Sequence, residues 1–156
     1  MIDMQKARAV VAAIQEQLDK TPPEAAQVRL SPDAWTLGEI LGHLIDSASN
    51  NHQRFARLRL GDLENFPAYE TEAWVAAQAY ADCDFATLAG LWTGYNAYLL
   101  HLAATTPPDA RQNAWIRPDG RQTLEFLVAD YYDHMFLHVD HYAKRLAGVK
   151  AALARS

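Results

Sequence analysis

Apolar and polar positions follow a helical period along most of the chain. Residues 3–20 carry apolar side chains at helical spacing, and the Thr-Pro-Pro segment at 21–23 ends that pattern. A second helical pattern opens at Thr36 and continues to about Leu60. Its first residues, 36–39, read Thr-Leu-Gly-Glu, a capping box in which hydroxyl and carboxylate each satisfy a free amide. The first 60 residues therefore predict two long helices.

The middle of the chain predicts one short helix, one long helix and a turn. Thr71 and Glu72 are predicted to cap a short helix that ends at about Tyr80. Asp84 is predicted to cap a helix over 85–105, which another Thr-Pro-Pro segment closes. Between 109 and 122, a Pro-Asp-Gly-Arg run predicts a turn or a small hairpin.

The last segment predicts the longest helix. Thr123 is its predicted cap, and the apolar period continues to about Leu153. Four long helices in one short chain are typical of a helical bundle. We therefore predict an all-α protein that forms a single four-helix-bundle domain over 1–156.

Composition narrows the function. The chain has 156 residues, of which 50% are hydrophobic, with a net charge of -5 and only 14 Lys and Arg, so a nucleic-acid partner is not expected. It carries neither a signal-peptide core nor an apolar run of transmembrane length, which favours the cytoplasm and predicts no membrane partner. A single cysteine excludes an internal disulfide and any metal site built from several thiolates. The six histidines, by contrast, are numerous and need an explanation.

The last helix carries three of the histidines on one face. His134, His138 and His141 are four and three residues apart, and Arg145 follows one turn later on the same line. Two histidines four apart can direct both imidazoles at one ion. The same spacing also occurs among histidines with a purely structural role, so the pair alone leaves both interpretations open.

The second helix carries a matching polar line. His43, Ser47, Asn50 and Arg54 share a narrow strip beside an apolar stripe. Bundle cores build metal sites from side chains on facing helices, so His43 is a candidate third ligand. Three imidazoles leave a coordination position open for substrate or water, as catalytic sites do. His52 and His101 lack such companions and are predicted to be surface or packing residues.

Three segments resemble one known family. The segment 34–47, followed by Asn50 and Arg54, resembles the second-helix signature of the DinB/YfiT-like superfamily of metalloproteins. The segment 69–74, Tyr-Glu-Thr-Glu-Ala-Trp, resembles that family's Tyr-Asp-x-x-x-Trp segment. The histidine pair within 134–138 stands where the family's last helix carries HxxxH.

The resemblance implies an up-down-down-up four-helix bundle, often a homodimer, with a divalent ion on three histidines. Carried over by position, the ligands are His43, His134 and His138, and the ion is nickel or zinc. His141 falls where many members have Gln or His, so the resemblance places it near the site. Members with known activity are transferases or isomerases that use a low-molecular-weight thiol.

The leading hypothesis is a metal-dependent thiol S-transferase or isomerase that acts on a small molecule. Arg54 and Arg145 could bind a carboxylate of the thiol. Each stands ~16 Å along its helix from the first histidine of its line, which favours a surface or dimer-interface role. Asn50 and Ser47 are weaker candidates for contacts to the substrate.

Two other functions stay open. One is a metal-dependent hydrolase that uses a metal-activated water, although the HxxxH segment has no adjacent glutamate to act as a base. The other is a bundle without catalytic activity that binds a metal or ligand under stress.

Overall fold

The computed structural model describes residues 1–156 as a bundle of helices with one small hairpin. The helices are α1 (Met4–Asp19), α2 (Leu37–Leu58), α3 (Thr71–Ala77), α4 (Phe85–Ala104) and α5 (Leu124–Ala154). The hairpin consists of the antiparallel strands β1 (Ala114–Arg117) and β2 (Gly120–Thr123), and short 3-10 turns lie at Pro23–Ala25, Tyr80–Asp82 and Pro108–Gln112.

The four long helices share one hydrophobic core. A single cluster of 33 buried residues draws side chains from α1, α2, α4 and α5, among them the fully buried Trp92 and Tyr142. Burial of this much apolar surface is the main force that holds helices together. The predicted all-α four-helix bundle is confirmed, whereas its up-down-down-up order stays a prediction. No helix combines the length and the apolar content that crossing a bilayer requires.

Both helices that carry the histidine lines begin at the predicted caps. At α2, the Glu39 backbone amide donates to Thr36 Oγ1 at 3.1 Å, and the Thr36 amide donates to the Glu39 carboxylate at 2.8 Å. At α5, Thr123 Oγ1 accepts from the Phe126 amide at 3.1 Å. These bonds satisfy amides that have no partner within the helix, and so they set where each helix starts.

The short helix differs from its prediction. α3 follows Glu70 with no side-chain cap, so the predicted cap by Thr71 and Glu72 is wrong. The helix also ends at Ala77, before the predicted end at Tyr80. Ala79 adopts φ 50°, a left-handed conformation that a right-handed helix cannot continue through, and a 3-10 turn follows it.

The hairpin ties the loop after α2 to the start of α5. Leu63 pairs with β1: its amide donates to Ala114 O at 3.0 Å, and the Ile116 amide donates to Leu63 O at 2.9 Å. The indole N–H of Trp115 donates to Phe66 O at 3.1 Å. Because β2 leads directly into α5, these bonds connect the end of one histidine-bearing helix to the beginning of the other.

Candidate metal centre

α2 and α5 bring three imidazoles to one point. His43 lies in the second turn of α2, and His134 and His138 lie one turn apart on α5. The three Nε2 atoms are 3.4 Å apart for His43 and His134, 3.2 Å for His43 and His138, and 3.1 Å for His134 and His138. His134 and His138 are 91 and 95 positions after His43 in the sequence, yet the three side chains form a triangle of nitrogen atoms.

The triangle has the dimensions of a metal site. Nitrogen ligands that each lie about 2.0–2.1 Å from one tetrahedral ion are about 3.3–3.4 Å from one another. The observed separations of 3.1–3.4 Å agree with that geometry. The three histidines form a cluster with no carboxylate or thiol among its members. A neutral imidazole with its proton on Nδ1 directs an Nε2 lone pair inward, so the three residues together can bind a divalent ion.

Burial keeps these imidazoles neutral. His43 is only 6% exposed, and burial, aided by the charges of His134 and His141, lowers its pKa to about 4. Burial and the neighbouring histidines lower the pKa of His138 to about 3. Burial also lowers the pKa of His134, against the opposing charge of Asp130. At neutral pH all three side chains therefore present lone pairs, the form in which histidine binds metals.

Two residues contact the outer side of the triangle. His141 Nδ1 lies 3.4 Å from His138 Nδ1, within reach of a hydrogen bond in which His138 Nδ1–H donates. Such a bond holds the proton on Nδ1 and leaves Nε2 free for a metal. The Trp35 ring packs on His43 with the ring centroids 5.5 Å apart. His141 therefore lies beside the triangle, and its role there stays a prediction.

A cavity of about 280 Å³ opens next to these two residues. Its lining residues are polar apart from one alanine and one tryptophan: Asp33, Ala34, Trp35, Glu72, His141 and Arg145. The structure therefore places Arg145 on the wall of a cavity that adjoins the histidine triangle.

A family model of the DinB superfamily matches residues 5–148. The chain belongs to the DinB superfamily. Among proteins with curated functions, none matches this sequence.

Two solved structures share the fold of this DinB superfamily member. YfiT from Bacillus subtilis, described as a probable metal-dependent hydrolase with an unusual four-helix bundle topology, has a TM-score of 0.74 and 18% identity, covering 97% of this chain and 85% of YfiT. A mycothiol-dependent maleylpyruvate isomerase has a TM-score of 0.72 and 14% identity, covering 87% of this chain and 57% of the isomerase. At these identities the likeness establishes the fold.

Ser47 and Asn50 form no hydrogen bond to the triangle in this DinB superfamily member. Ser47 is buried, and its carbonyl accepts from Asn51 Nδ2 at 2.9 Å. Asn50 Nδ2 donates to the Asp46 carbonyl one turn earlier, at 2.9 Å. The hydrogen-bond-distance partners of the cluster histidines are other histidines.

Arg54 is buried against the hairpin. It is only 8% exposed, and its guanidinium sits over the Trp115 ring, 4.3 Å from the centroid. The expected surface position is therefore wrong for this residue, whereas the dimer-interface role stays a prediction. The helical wheel placed Arg54 correctly on the polar line, but the hairpin that covers it comes from sequence 60 residues away.

Asp46 is a buried carboxyl group that the sequence patterns did not single out. It is 2% exposed, and its Oδ1 accepts from the Tyr80 hydroxyl at 2.6 Å and from Gln78 Nε2 at 2.7 Å, while Oδ2 has no partner. Burial raises its pKa. On the helical wheel Asp46 lies ~60° from His43 on the side away from the apolar stripe, so periodicity gave no signal that it is buried.

His52 and His101 lie outside the cluster. His52 Nδ1 lies 2.8 Å from the Tyr95 hydroxyl, and its ring packs edge-on against Tyr95 and Tyr98. His101 is exposed and stacks against Tyr98. Their predicted role as surface or packing residues agrees with these contacts.

Proposed function

We propose that this protein is a divalent-metal-dependent enzyme that uses a low-molecular-weight thiol in an S-transfer or isomerisation reaction on a small molecule. The observation that carries the proposal is the triangle of His43, His134 and His138, whose neutral Nε2 atoms lie 3.1–3.4 Å apart. Three protein ligands leave a position open for an external ligand, as in catalytic sites.

In this proposal the three histidines hold nickel or zinc. Both ions accept imidazole nitrogen, and three such ligands do not discriminate between them. A bound divalent ion lowers the pKa of a coordinating thiol and so supplies a thiolate, the reactive form of sulfur, at neutral pH. His141 orients the His138 ring through its Nδ1, and Trp35 packs against His43, so both act as positioning residues.

The thiol in this proposal comes from outside the protein. Cys83 is the one cysteine in the sequence, and it lies half-buried directly after the 3-10 turn at Tyr80–Asp82. It is not a member of the histidine cluster. The proposal therefore assigns the reactive sulfur to a small external thiol.

A metal-dependent hydrolase is the second candidate. The solved structure of YfiT, described as a probable metal-dependent hydrolase, supports it through a match over 97% of this chain. Hydrolysis usually requires a carboxylate base near the ion. The cluster contains histidines alone, Asp46 uses Oδ1 to accept from Tyr80 and Gln78, and Asp130 acts on His134 through its charge without being a member of the cluster. We therefore rank hydrolysis below thiol transfer.

The experiment compares thiol consumption with bond hydrolysis. Nickel- or zinc-loaded protein is incubated with glutathione, bacillithiol or mycothiol and a generic aryl-halide electrophile, and loss of thiol is measured. We expect consumption that depends on the metal, disappears in His138→Ala and persists in His52→Ala. Cleavage of an ester or amide without thiol consumption would favour the hydrolase. Metal binding with neither reaction would favour a non-catalytic, stress-linked binder.

The homodimer and the cytoplasmic location are also proposals. The chain mass is 17.4 kDa, so light scattering distinguishes a monomer from a dimer directly. The family membership and the resemblance of segment 34–47 support the dimer, and the location rests on the sequence alone.

A further inference from the structure

The cavity beside the histidine triangle contains charges of both signs that are not paired with each other. Arg145 and the exposed carboxylates of Asp33 and Glu72 line the same space of about 280 Å³. None of the three forms a salt bridge within 4.0 Å, whereas the neighbouring Lys144 pairs with Asp140 at 2.7 Å. Opposite charges therefore line one cavity without pairing to each other.

Arg145 has hydrogen-bonding capacity to spare. Its Nη1 is buried and has no acceptor in the protein. Buried donors normally find a partner, because an N–H group that has lost its water without gaining an acceptor is unfavourable. A guanidinium matches a carboxylate in shape and charge, so the partner with the best fit is a carboxylate.

Two residues of the cavity wall contact the candidate metal centre. Trp35 packs on His43, and His141 Nδ1 lies 3.4 Å from His138 Nδ1. Arg145 stands seven residues after His138, a rise of ~10 Å along α5. Helical side chains lean towards the N-terminus, which brings the guanidinium back towards the histidines.

We propose that this cavity binds a zwitterionic end of the thiol or substrate, with Arg145 holding a carboxylate and Asp33 and Glu72 holding an ammonium group. The ring of Trp35 contacts the apolar chain between them. The ligand class is thus a short, peptide-like molecule that carries an amino-acid terminus. This inference rests on the proposed function only for the position of the ligand's sulfur at the metal.

Calorimetry of the metal-loaded protein tests the zwitterion site with two peptides. One is glutathione, and the other is γ-glutamyl-2-aminobutyryl-glycine, which keeps the charged ends but has no sulfur. Arg145→Met is expected to weaken both by at least about tenfold, and Arg145→Lys by less, because an ammonium keeps the charge without the planar fork. Arg155→Met removes an exposed arginine near the end of α5 and serves as the control.

The acidic side of the cavity has its own test. The double variant Asp33→Asn with Glu72→Gln is expected to bind the free peptide about as weakly as the wild type binds its N-acetylated form. Acetylation of the peptide's amine should then not lower the affinity of that variant further, because the substitutions and the acetylation remove the same interaction. Peptide affinities of Arg145→Met within twofold of the Arg155→Met control would overturn the inference.

Two readouts separate this inference from the proposed function. In nickel-loaded protein, a thiolate-to-metal absorption band on addition of glutathione reports sulfur at the ion. Arg145-dependent binding of the sulfur-free peptide without that band would contradict thiol use and support the zwitterion site. If the band is present and the peptide affinity of Arg145→Met is unchanged, thiol use is supported and the zwitterion site is contradicted. Circular dichroism and metal content confirm that each variant is folded and loaded.

Discussion

Two histidines on the same helix have opposite surroundings. His43, near the start of α2, faces α5 and meets the Nε2 atoms of His134 and His138. His52, nine residues later, faces α4 and lies 2.8 Å from the Tyr95 hydroxyl. Both are histidines on the same helix, yet His52 has a hydroxyl partner whereas the Nε2 of His43 meets only imidazole nitrogens.

The difference shows what separates a structural histidine from a candidate ligand. A phenol and an imidazole can exchange one hydrogen bond and satisfy each other. Three neutral imidazoles that point Nε2 at one centre have lone pairs without hydrogens, and a cation is the species that satisfies them all. In the His43 cluster the lowered pKa values of the imidazoles disfavour protons in that role. A divalent metal ion fits better.

The largest expected effect is the loss of bound metal when a histidine of the His43 cluster is replaced. His43→Ala, His134→Ala and His138→Ala should each weaken nickel or zinc binding by more than about 100-fold, since the loss of an outer partner alone costs 10–100-fold. Mass spectrometry of purified protein for metal content measures the effect. His52→Ala and His101→Ala should retain wild-type metal content. Unchanged metal in all three cluster variants would contradict the ligand assignment.

The second effect is a pH dependence of stability that belongs to the cluster. In the unfolded chain histidine titrates near pH 6.5, whereas in the fold the pKa of His43 is about 4 and that of His138 about 3. As pH falls from about 6.5 to 4, the unfolded state binds more protons, so stability falls. Urea unfolding of chelator-treated protein between pH 7.5 and 4.5 measures this loss.

Variants locate the pH dependence. His43→Ala should show a shallower loss of stability with falling pH, because one imidazole with a lowered pKa is gone and its charge no longer acts on His138. Tyr95→Phe keeps all three imidazoles and should retain the wild-type slope. Equal slopes in wild type and His43→Ala would show that the cluster is not the source.

The third effect separates the scaffold around His43 from its chemistry. A methyl group at Gly42 would overlap the ring of Tyr80, whose hydroxyl donates to Asp46. Gly42→Ala should lower the free energy of unfolding by about 1–3 kcal/mol, as overpacking does. Denaturant titration measures the change. The matched control is Gly94→Ala on α4, where a methyl group meets no neighbour and glycine is unfavourable in a helix. Gly94→Ala should be neutral or stabilising.

The smallest effect concerns the His52 side. Tyr95→Phe removes the hydroxyl that pairs with His52 Nδ1 and should destabilise the protein by about 1 kcal/mol. Thermal unfolding measures the shift, and metal content should not change. A loss of metal in this variant would show that the two histidine environments are coupled, contrary to their separation on α2.

Local rules predicted the secondary structure well where a cap or a proline marks the boundary. Thr36 and Thr123 begin the two histidine-bearing helices, as the side-chain hydrogen bonds require. The same rules failed at α3, because its end depends on the left-handed backbone of Ala79, which no local residue preference demands. The helical wheel likewise placed Arg54 on the correct line but could not reveal that Trp115 covers it.

The sequence by itself determined a helical bundle and the set of histidines that share helix faces, because a period of 3.6 residues and local capping depend on neighbours in the chain. It also identified His43, His134 and His138 as the candidate ligands. Tertiary packing decided what no local rule contains: the 3.1–3.4 Å spacing of their nitrogens and the cavity that joins Trp35 to Arg145. The physical reason is that distances between helices arise from how the whole core packs. Side chains far apart in the sequence jointly determine those distances.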